Sequence, residues 1–382
     1  MCRPSKSNWT RNSAAWACDD CVHRPAANGV KGAFATRLLL LLMAAGAALL
    51  CGCHSFGYYS QAVSGQWELL TKPESIRQFI ADPQTPAPLR ERLQLVLRLR
   101  EFAATELSLP TNGHYLNYAD LKRPYVAWTV YAAPEFSTKA KSWWYPIVGS
   151  LEYQGYFKEA AAQRYAQTLR KGGFDVFVGG VAAFSTLGWF HDPVLNTFLF
   201  DEEADLAELL FHELAHQRVF VSGDTEFNEA FATAVAQEGL RRWMQTKKDP
   251  AGHARYRASV AREEQFVQLV IDTRAKLEKF FDTTNHPPRL DSELRAGKQA
   301  VFDEMRGNYS RLKRSWGGDS RYDRWFAQPI NNAQLNTVEA YYKLVPGFER
   351  LLARQRGDFP AFYREVKSIG RLKRDERRER LR

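Results

Sequence analysis

Apolar positions recur at intervals of three and four along LRERLQLVLRLREFAATEL, where Leu93, Val96 and Leu97 lead on to Arg100, and the spacing predicts an amphipathic helix. Upstream, HSFGYYSQAVSGQWELLTKPESIRQFIAD reads as a polar anchor followed by helix, broken by Pro83, Pro86 and Pro88. From Tyr125 the texture changes. YVAWTVYAAPEF, WWYPIVGSLEYQGYF and GFDVFVGGVAAFSTLGWF are short runs of β-branched and aromatic residues punctuated by Gly and Pro, which predicts a small sheet. The helical stretch EAAAQRYAQTLRKGG interrupts it and stops at Gly172 and Gly173. Helical periodicity returns in ADLAELLFHELAHQRVFV, with Leu206, Leu209, Leu210, Leu214 and Val221 as the buried stripe and Ser222-Gly223-Asp224 as the stop. Asp224 or Thr225 then caps a helix through EFNEAFATAVAQEGLRRWMQ. The remainder is helical in pattern apart from turns at Asn285 to Pro288 and at Gly317-Gly318. The expected fold is α+β, a helix-dominated domain with a small mixed sheet over 53–370. It lies between an N-terminal segment, 1–52, and a basic charged tail, 371–382.

The N-terminal segment is read as an export signal. Lys31 and Arg37 precede an apolar run, Leu38 to Leu50, too short to span comfortably as a mature anchor. Leu50-Cys51-Gly52-Cys53 resembles the bacterial lipobox, in which a small residue precedes a cysteine that is lipidated and becomes the new N-terminus. Cys53 is the candidate, and Cys51, preceded by Leu50, fits the pattern less well. A soluble secreted chain or an uncleaved anchor are the alternatives. About thirty residues precede the charged region and Val30 offers an alternative start, so Cys18 and Cys21 read as upstream sequence rather than a redox or metal pair. All five cysteines lie in the first 53 residues, so no disulfide forms within the rest of the chain.

The formal net charge of +10 shrinks on inspection. Six Lys/Arg against two Asp/Glu lie in the first 52 residues, and seven against three lie in the tail, leaving about +2 on the body. That is no nucleic-acid footprint. The tail RLKRDERRERLR reads as a solvated helix, with attraction to anionic lipid as the sharper alternative.

The chemistry concentrates in Phe211-His212-Glu213-Leu214-Ala215-His216-Gln217. Two histidines four apart share one helical face, where neutral imidazoles can meet one Zn2+ ion, and the intervening glutamate is placed to handle a proton. Three protein ligands and a water make a catalytic zinc site, and Glu229, thirteen residues past His216 on the next helix, is well placed as the third. Glu213 is then the general base. Glu208, Glu238 and Asp224 read as surface or capping groups, with Asp224 able to orient a ligating histidine, and His191 reads as a loop residue. An oxyanion donor is also needed. Tyr342 is the candidate, with Tyr341 and Tyr156 beside it. GGVAAFSTLGWF is the candidate strand for pairing with an extended substrate.

The segments YYSQAVSGQWELL, LREFAATELSLP, YVAWTVYAAPEFS, WWYPIVGSLEYQGYF, AFSTLGWFHDP, FHELAHQ, GDTEFNEAFATAV and NNAQLNTVEAYYKLVPGFERLL resemble the bacterial putative aminopeptidase family, predicted zinc-dependent peptidases often made as lipoproteins. The resemblance runs from Cys53 to about Ile369. More broadly, HExxH followed by a helical Asn-Glu is similar to the gluzincins, which implies a zincin-like fold, His212, His216 and Glu229 as ligands and Glu213 as base. The separation between His216 and Glu229 is shorter than the thermolysin type, and no GxMEN-like stretch is present to hold a free amino terminus. The expectation is a zinc peptidase acting on peptides as an aminopeptidase. It would be lipid-tethered to a bacterial membrane and face the periplasm. An envelope endopeptidase and a non-catalytic, membrane-anchored binding or assembly lipoprotein are the alternatives.

Overall fold

The structure is a computed structural model describing residues 61, 64–65, 67–69, 71–145, 149–183, 191–282 and 289–382. Cys53, the export signal, the turn at Asn285 to Pro288 and the second half of GGVAAFSTLGWF lie outside the described residues. No described helix is long and apolar enough to cross a membrane.

Helices dominate, as the apolar spacing predicts. Strand β1 (Glu74–Ser75) leads into α1 (Ile76–Ala81) and the long α2 (Ala87–Glu106), which starts at Pro86-Ala87-Pro88, where proline's fixed φ suits a helix entry. Strands β2 (Asn117–Ala119), β3 (Ala127–Pro134), β4 (Trp143–Tyr145), β5 (Gly149–Leu151) and β6 (Gln154–Tyr156) follow, then α3 (Glu159–Lys171) and β7 (Phe174–Val181). Strand β3 pairs antiparallel with β6 on one side and β7 on the other, in register Thr129 with Gly179 and Tyr131 with Phe177, while β4 and β5 form a hairpin. A second small sheet, β1-β2-β8, has β2 at its centre, antiparallel to β1 and parallel to β8 (Val194–Leu195). Its strands have two or three residues each, too few for a period-2 pattern to register in the sequence.

The short α4 (Asn196–Leu199) precedes α5 (Glu203–His216) and α6 (Thr225–Gln245), the central pair. Leu206, Leu210 and Leu214 of α5 are fully buried, but the helix ends at His216, six residues before the expected stop, so Val221 belongs to the connecting loop. Every residue from Asp224 to Ala236 is buried, so the first half of α6 is enclosed on all sides. Close approach is possible because Gly239 lacks a side chain. A Cβ there would fall 2.8 Å from Phe211 Cδ2 and 2.7 Å from Leu107 Cδ1. Phe211 at this contact, and Phe227 and Phe231 nearer the start of α6, are each fully buried, worth about 1.5–3 kcal/mol apiece.

Beyond α6, the long α7 (Pro250–Phe281) packs against α8 (Asp291–Ser315), and α9 (Asp323–Ala327) and α10 (Asn332–Tyr342) complete a second apolar cluster around Phe266, Val270, Phe302 and Leu335. Helix α10 is tied to the sheet by polar bonds. Asn331 caps it, and the buried Asn332 amide donates to the Pro134, Glu135 and Ser137 carbonyls at 3.0–3.2 Å. The chain ends with α11 (Val345–Arg354), α12 (Phe359–Gly370) and α13 (Arg374–Leu381). The tail is helical as expected but not simply solvated. Arg377 is buried because Asp224 neutralises its guanidinium, and Leu381 is buried beneath it.

Candidate metal centre

Two consecutive helices bring the three donors together. His212 and His216 stand one turn apart at the end of α5, and Glu229 lies on the second turn of α6. The loop between them is pinned from α6. Asn228 accepts from the Val221 N–H and donates to the Val221 carbonyl, both at 2.8 Å, while Asp224 Oδ1 accepts from the Phe227 N–H at 3.4 Å as the N-cap. Asp224 is thus a capping group, as its residue type suggests, and makes no contact with either histidine that would orient it.

In this arrangement Glu229 Oε2 lies 3.2 Å from His212 Nε2 and 3.5 Å from His216 Nε2, and the two Nε2 atoms are 3.2 Å apart. The three atoms could share one metal ion. Tetrahedral bonds of about 2.0–2.1 Å require donor atoms about 3.3–3.4 Å apart, so the triangle already has the size of one tetrahedral face. The donor chemistry agrees, since two imidazoles and a carboxylate suit a borderline-soft divalent ion.

Electrostatics around the triad are strong. Burial pulls His212 below the usual imidazole range against its hydrogen bond with Glu229. Burial acts downward on His216 as well, but Glu229 and Glu213 more than offset it and raise that group. Burial alone would raise Glu229, yet the two imidazoles hold it far below the usual carboxylate range. Glu213 differs. Burial, reinforced by the Glu229 and Asp192 carboxylates and opposed by His216, pushes it up to about 8. Its Oε2 is buried with no hydrogen-bond partner among the described residues, an atom that a water lying between Glu213 and the triad would satisfy. A cation on the triad would oppose the rise and restore a base.

His212 and Glu213 line a cleft of about 490 Å³. Gly179 to Ala183, at the end of the edge strand β7, form one wall. Asp205, Glu208 and Leu209 on α5, Glu263 on α7, and Thr337, Tyr341 and Tyr342 on α10 form much of the rest.

The tyrosine candidates separate clearly. Tyr342 donates its hydroxyl to Glu263 Oε1 at 2.5 Å and so is engaged on the far wall. Tyr156 is buried in the sheet cluster, its ring 5.8 Å from that of Tyr165. It is Tyr341 whose ring stacks on His212, centroids 6.0 Å apart at 21°. Burial first, then Glu229, raises its pKa, so its hydroxyl stays protonated and able to donate. Tyr131 of β3 lies beside it and shares a side-chain hydrogen bond with it, tyrosine to tyrosine, whereas Tyr342 is bound to a carboxylate.

Other positions also resolve. His191 is exposed and packs edge-on against His114, 5.6 Å between centroids. Glu238 pairs with Arg241 and Arg242. Glu208, expected at the surface, instead lines the cleft, where burial and then Glu263 push it up to about 8. Its placement escaped sequence reasoning because Glu263 is 55 residues away on another helix. Asp192 was likewise not legible as a neighbour of Glu213, since only folding brings its buried carboxylate there.

What these observations define is an α+β, helix-dominated chain whose metal-capable triad reaches a cleft through His212, with a Glu213 carboxylate oxygen beside it that has no partner among the described residues. The chain belongs to the family described as Putative aminopeptidase, whose profile matches residues 57–381, and that description is of a peptidase. No curated protein and no solved structure matches it.

Proposed function

We propose that this chain is a zinc-dependent aminopeptidase that hydrolyses peptide bonds with Glu213 as general base. The observation carrying this reading is the His212, His216 and Glu229 triangle, with edges of 3.2, 3.2 and 3.5 Å, beside the partnerless Glu213 oxygen. Zinc held by those three residues would acidify a coordinated water and polarise the scissile carbonyl. Glu213 would take the proton and return it to the departing amine. The end of β7, an edge strand on the cleft wall, offers main-chain pairing to an extended peptide.

Tyr341 is the proposed donor to the developing oxyanion. Its hydroxyl is kept protonated by burial, and its ring rests on a ligand imidazole. Tyr341→Phe should lower kcat by about 10²–10³-fold with little change in KM. An unchanged kcat would remove Tyr341 from the mechanism.

Exopeptidase specificity rests on Glu208 and Glu263. These carboxylates line the cleft within reach of each other's field, and a substrate ammonium would relieve their mutual repulsion. Free-amine peptides are therefore expected to be cleaved and their N-acetylated counterparts not, with chelator abolishing the activity. Equal turnover of both would favour an endopeptidase. Glu208→Gln should raise KM for free-amine peptides and also stabilise the protein. With a folded-state pKa near 8 against a usual 4.5, the native state loses stability as pH rises from 4.5 through 8. The substitution should thus be nearly neutral at pH 4 and stabilising by up to about 4 kcal/mol at pH 8, read from thermal unfolding at both.

We also propose that Cys53 carries a lipid anchor tethering the domain to a bacterial membrane on its periplasmic side. The support is the basic and apolar run before Leu50-Cys51-Gly52-Cys53. Metabolic labelling with a fatty acid tests it, and an unlabelled chain in the soluble fraction would sink it.

A further inference from the structure

The corner joining α5 to α6 receives a third element, the C-terminal α13. Arg377 reaches it with a nearly complete set of bonds. Its Nε and Nη2 donate to Asp224 Oδ2 at 2.9 and 2.7 Å, and its Nη1 donates to the Leu372 and Gly370 carbonyls at 2.5 and 3.3 Å. Both partners are buried, Arg377 at 9% exposure and Asp224 at 2%. Asp224 therefore has two tasks, since its other oxygen caps α6. Arg378 donates through Nε to Glu226 Oε2 at 3.0 Å, in the first turn of the same helix. Arg374 lies 3.8 Å from Asp224 Oδ1 and 3.5 Å from Glu152 Oε1, just past β5.

The far end of α13 is fixed too. Arg350 donates to the Leu381 carbonyl at 2.9 Å, and a Cβ on Gly347 would fall 2.1 Å from that same oxygen, so α11 accepts the tail only because residue 347 is glycine.

We propose that α13 is a latch that positions the third metal ligand: Arg377, acting through Asp224, fixes the first turns of α6 and with them Glu229. The inference rests on the zinc-peptidase reading above. Glu229 lies five residues past the cap, and a carboxylate ligand displaced by a fraction of an ångström no longer completes a triangle with 3.2–3.5 Å edges. Without Arg377, Asp224 would be left buried with its negative charge largely uncompensated, and the first turn would relax toward water. Arg377 and Arg378 thus serve the interior of this corner.

The test is the zinc dissociation constant of the full-length protein, measured by chelator competition, for the parent, Arg377→Gln, Arg377→Lys and the exposed control Arg380→Gln. Arg377→Gln should weaken zinc binding about 10–100-fold, the range seen when groups supporting a ligand are removed. Arg377→Lys should recover part of the loss and Arg380→Gln should match the parent. Amide exchange over residues 222–230 in the metal-free protein should quicken in Arg377→Gln while α8 stays protected, a local response that general destabilisation does not give. Parent-like zinc affinity in a folded Arg377→Gln protein overturns the proposal, as does exchange that quickens equally everywhere. Should Arg377→Gln fail to fold, Arg374→Gln and Arg378→Gln decide: weakened zinc binding upholds the latch and parent-like binding overturns it. A parent protein that binds no zinc would overturn both the peptidase reading and the latch, whereas tight binding by parent and variant alike would overturn the latch alone.

Discussion

Glu213→Gln is expected to lower kcat/KM for peptide hydrolysis by about 10²–10⁴-fold while leaving the zinc content unchanged. The substitution keeps the size of the side chain and removes its ability to accept a proton. Glu213 is not one of the three converging donors, so the triangle of Nε2, Nε2 and Oε2 atoms survives it. Metal analysis of the purified variant beside its rate separates the two roles. A variant that hydrolyses peptides at the parental rate would end the case for Glu213 as base. The pH profile gives a second reading. Activity must rise with pH as Glu213 ionises, and that rise should vanish from whatever rate Glu213→Gln retains. In the metal-free protein burial pushes Glu213 up to about 8, and a neighbouring cation works in the opposite sense. Zinc loading should therefore lower its pKa, which carbon-13 shifts of a labelled side chain would follow.

How much of this was legible beforehand depends on how local each signal is. Helix α2 announced itself through its apolar interval, the sheet through aromatic and β-branched runs, and the α6 cap through Asp224. The histidine pair needed only helical periodicity, and Glu229 only a short turn between two helices. Non-local facts were out of reach. Tyr341 and Tyr342 are adjacent in sequence, so one stacks on His212 while the other turns to Glu263 by virtue of where α10 docks, and docking depends on Asn332 meeting carbonyls some two hundred residues earlier. The same holds for the tail. Its charge pattern alone fits a solvated helix, and only the buried Asp224 and Glu226, some 150 residues away, convert that pattern into an interior contact. The early end of α5 belongs here as well, since Asn228 bonding both sides of Val221 draws the loop into a compact shape that periodicity cannot reveal.

Glu229→Ala should weaken zinc binding by more than about 100-fold, because loss of a group merely supporting a ligand already costs 10–100-fold, and should abolish hydrolysis with it. Glu229→Asp is the informative companion. It keeps the charge but withdraws the oxygen by about one C–C bond, ~1.5 Å, so it should bind zinc more weakly than the parent and more tightly than Glu229→Ala. The metal-free proteins give a test that needs no catalysis. Glu229 is held far below its usual 4.5 by the imidazoles, so its contribution to stability is present above pH 4.5 and is lost as pH falls below it. His216 is raised above its usual 6.5, so its contribution is present below pH 6.5 and fades as pH rises through its folded-state value. The stability advantage of the metal-free parent over metal-free Glu229→Ala should accordingly peak between pH 4.5 and 6.5 and shrink on either side, as chemical denaturation across that range would register. A difference that is flat with pH would mean that Glu229 does not face the two imidazoles in solution, and the metal centre would lose its third ligand.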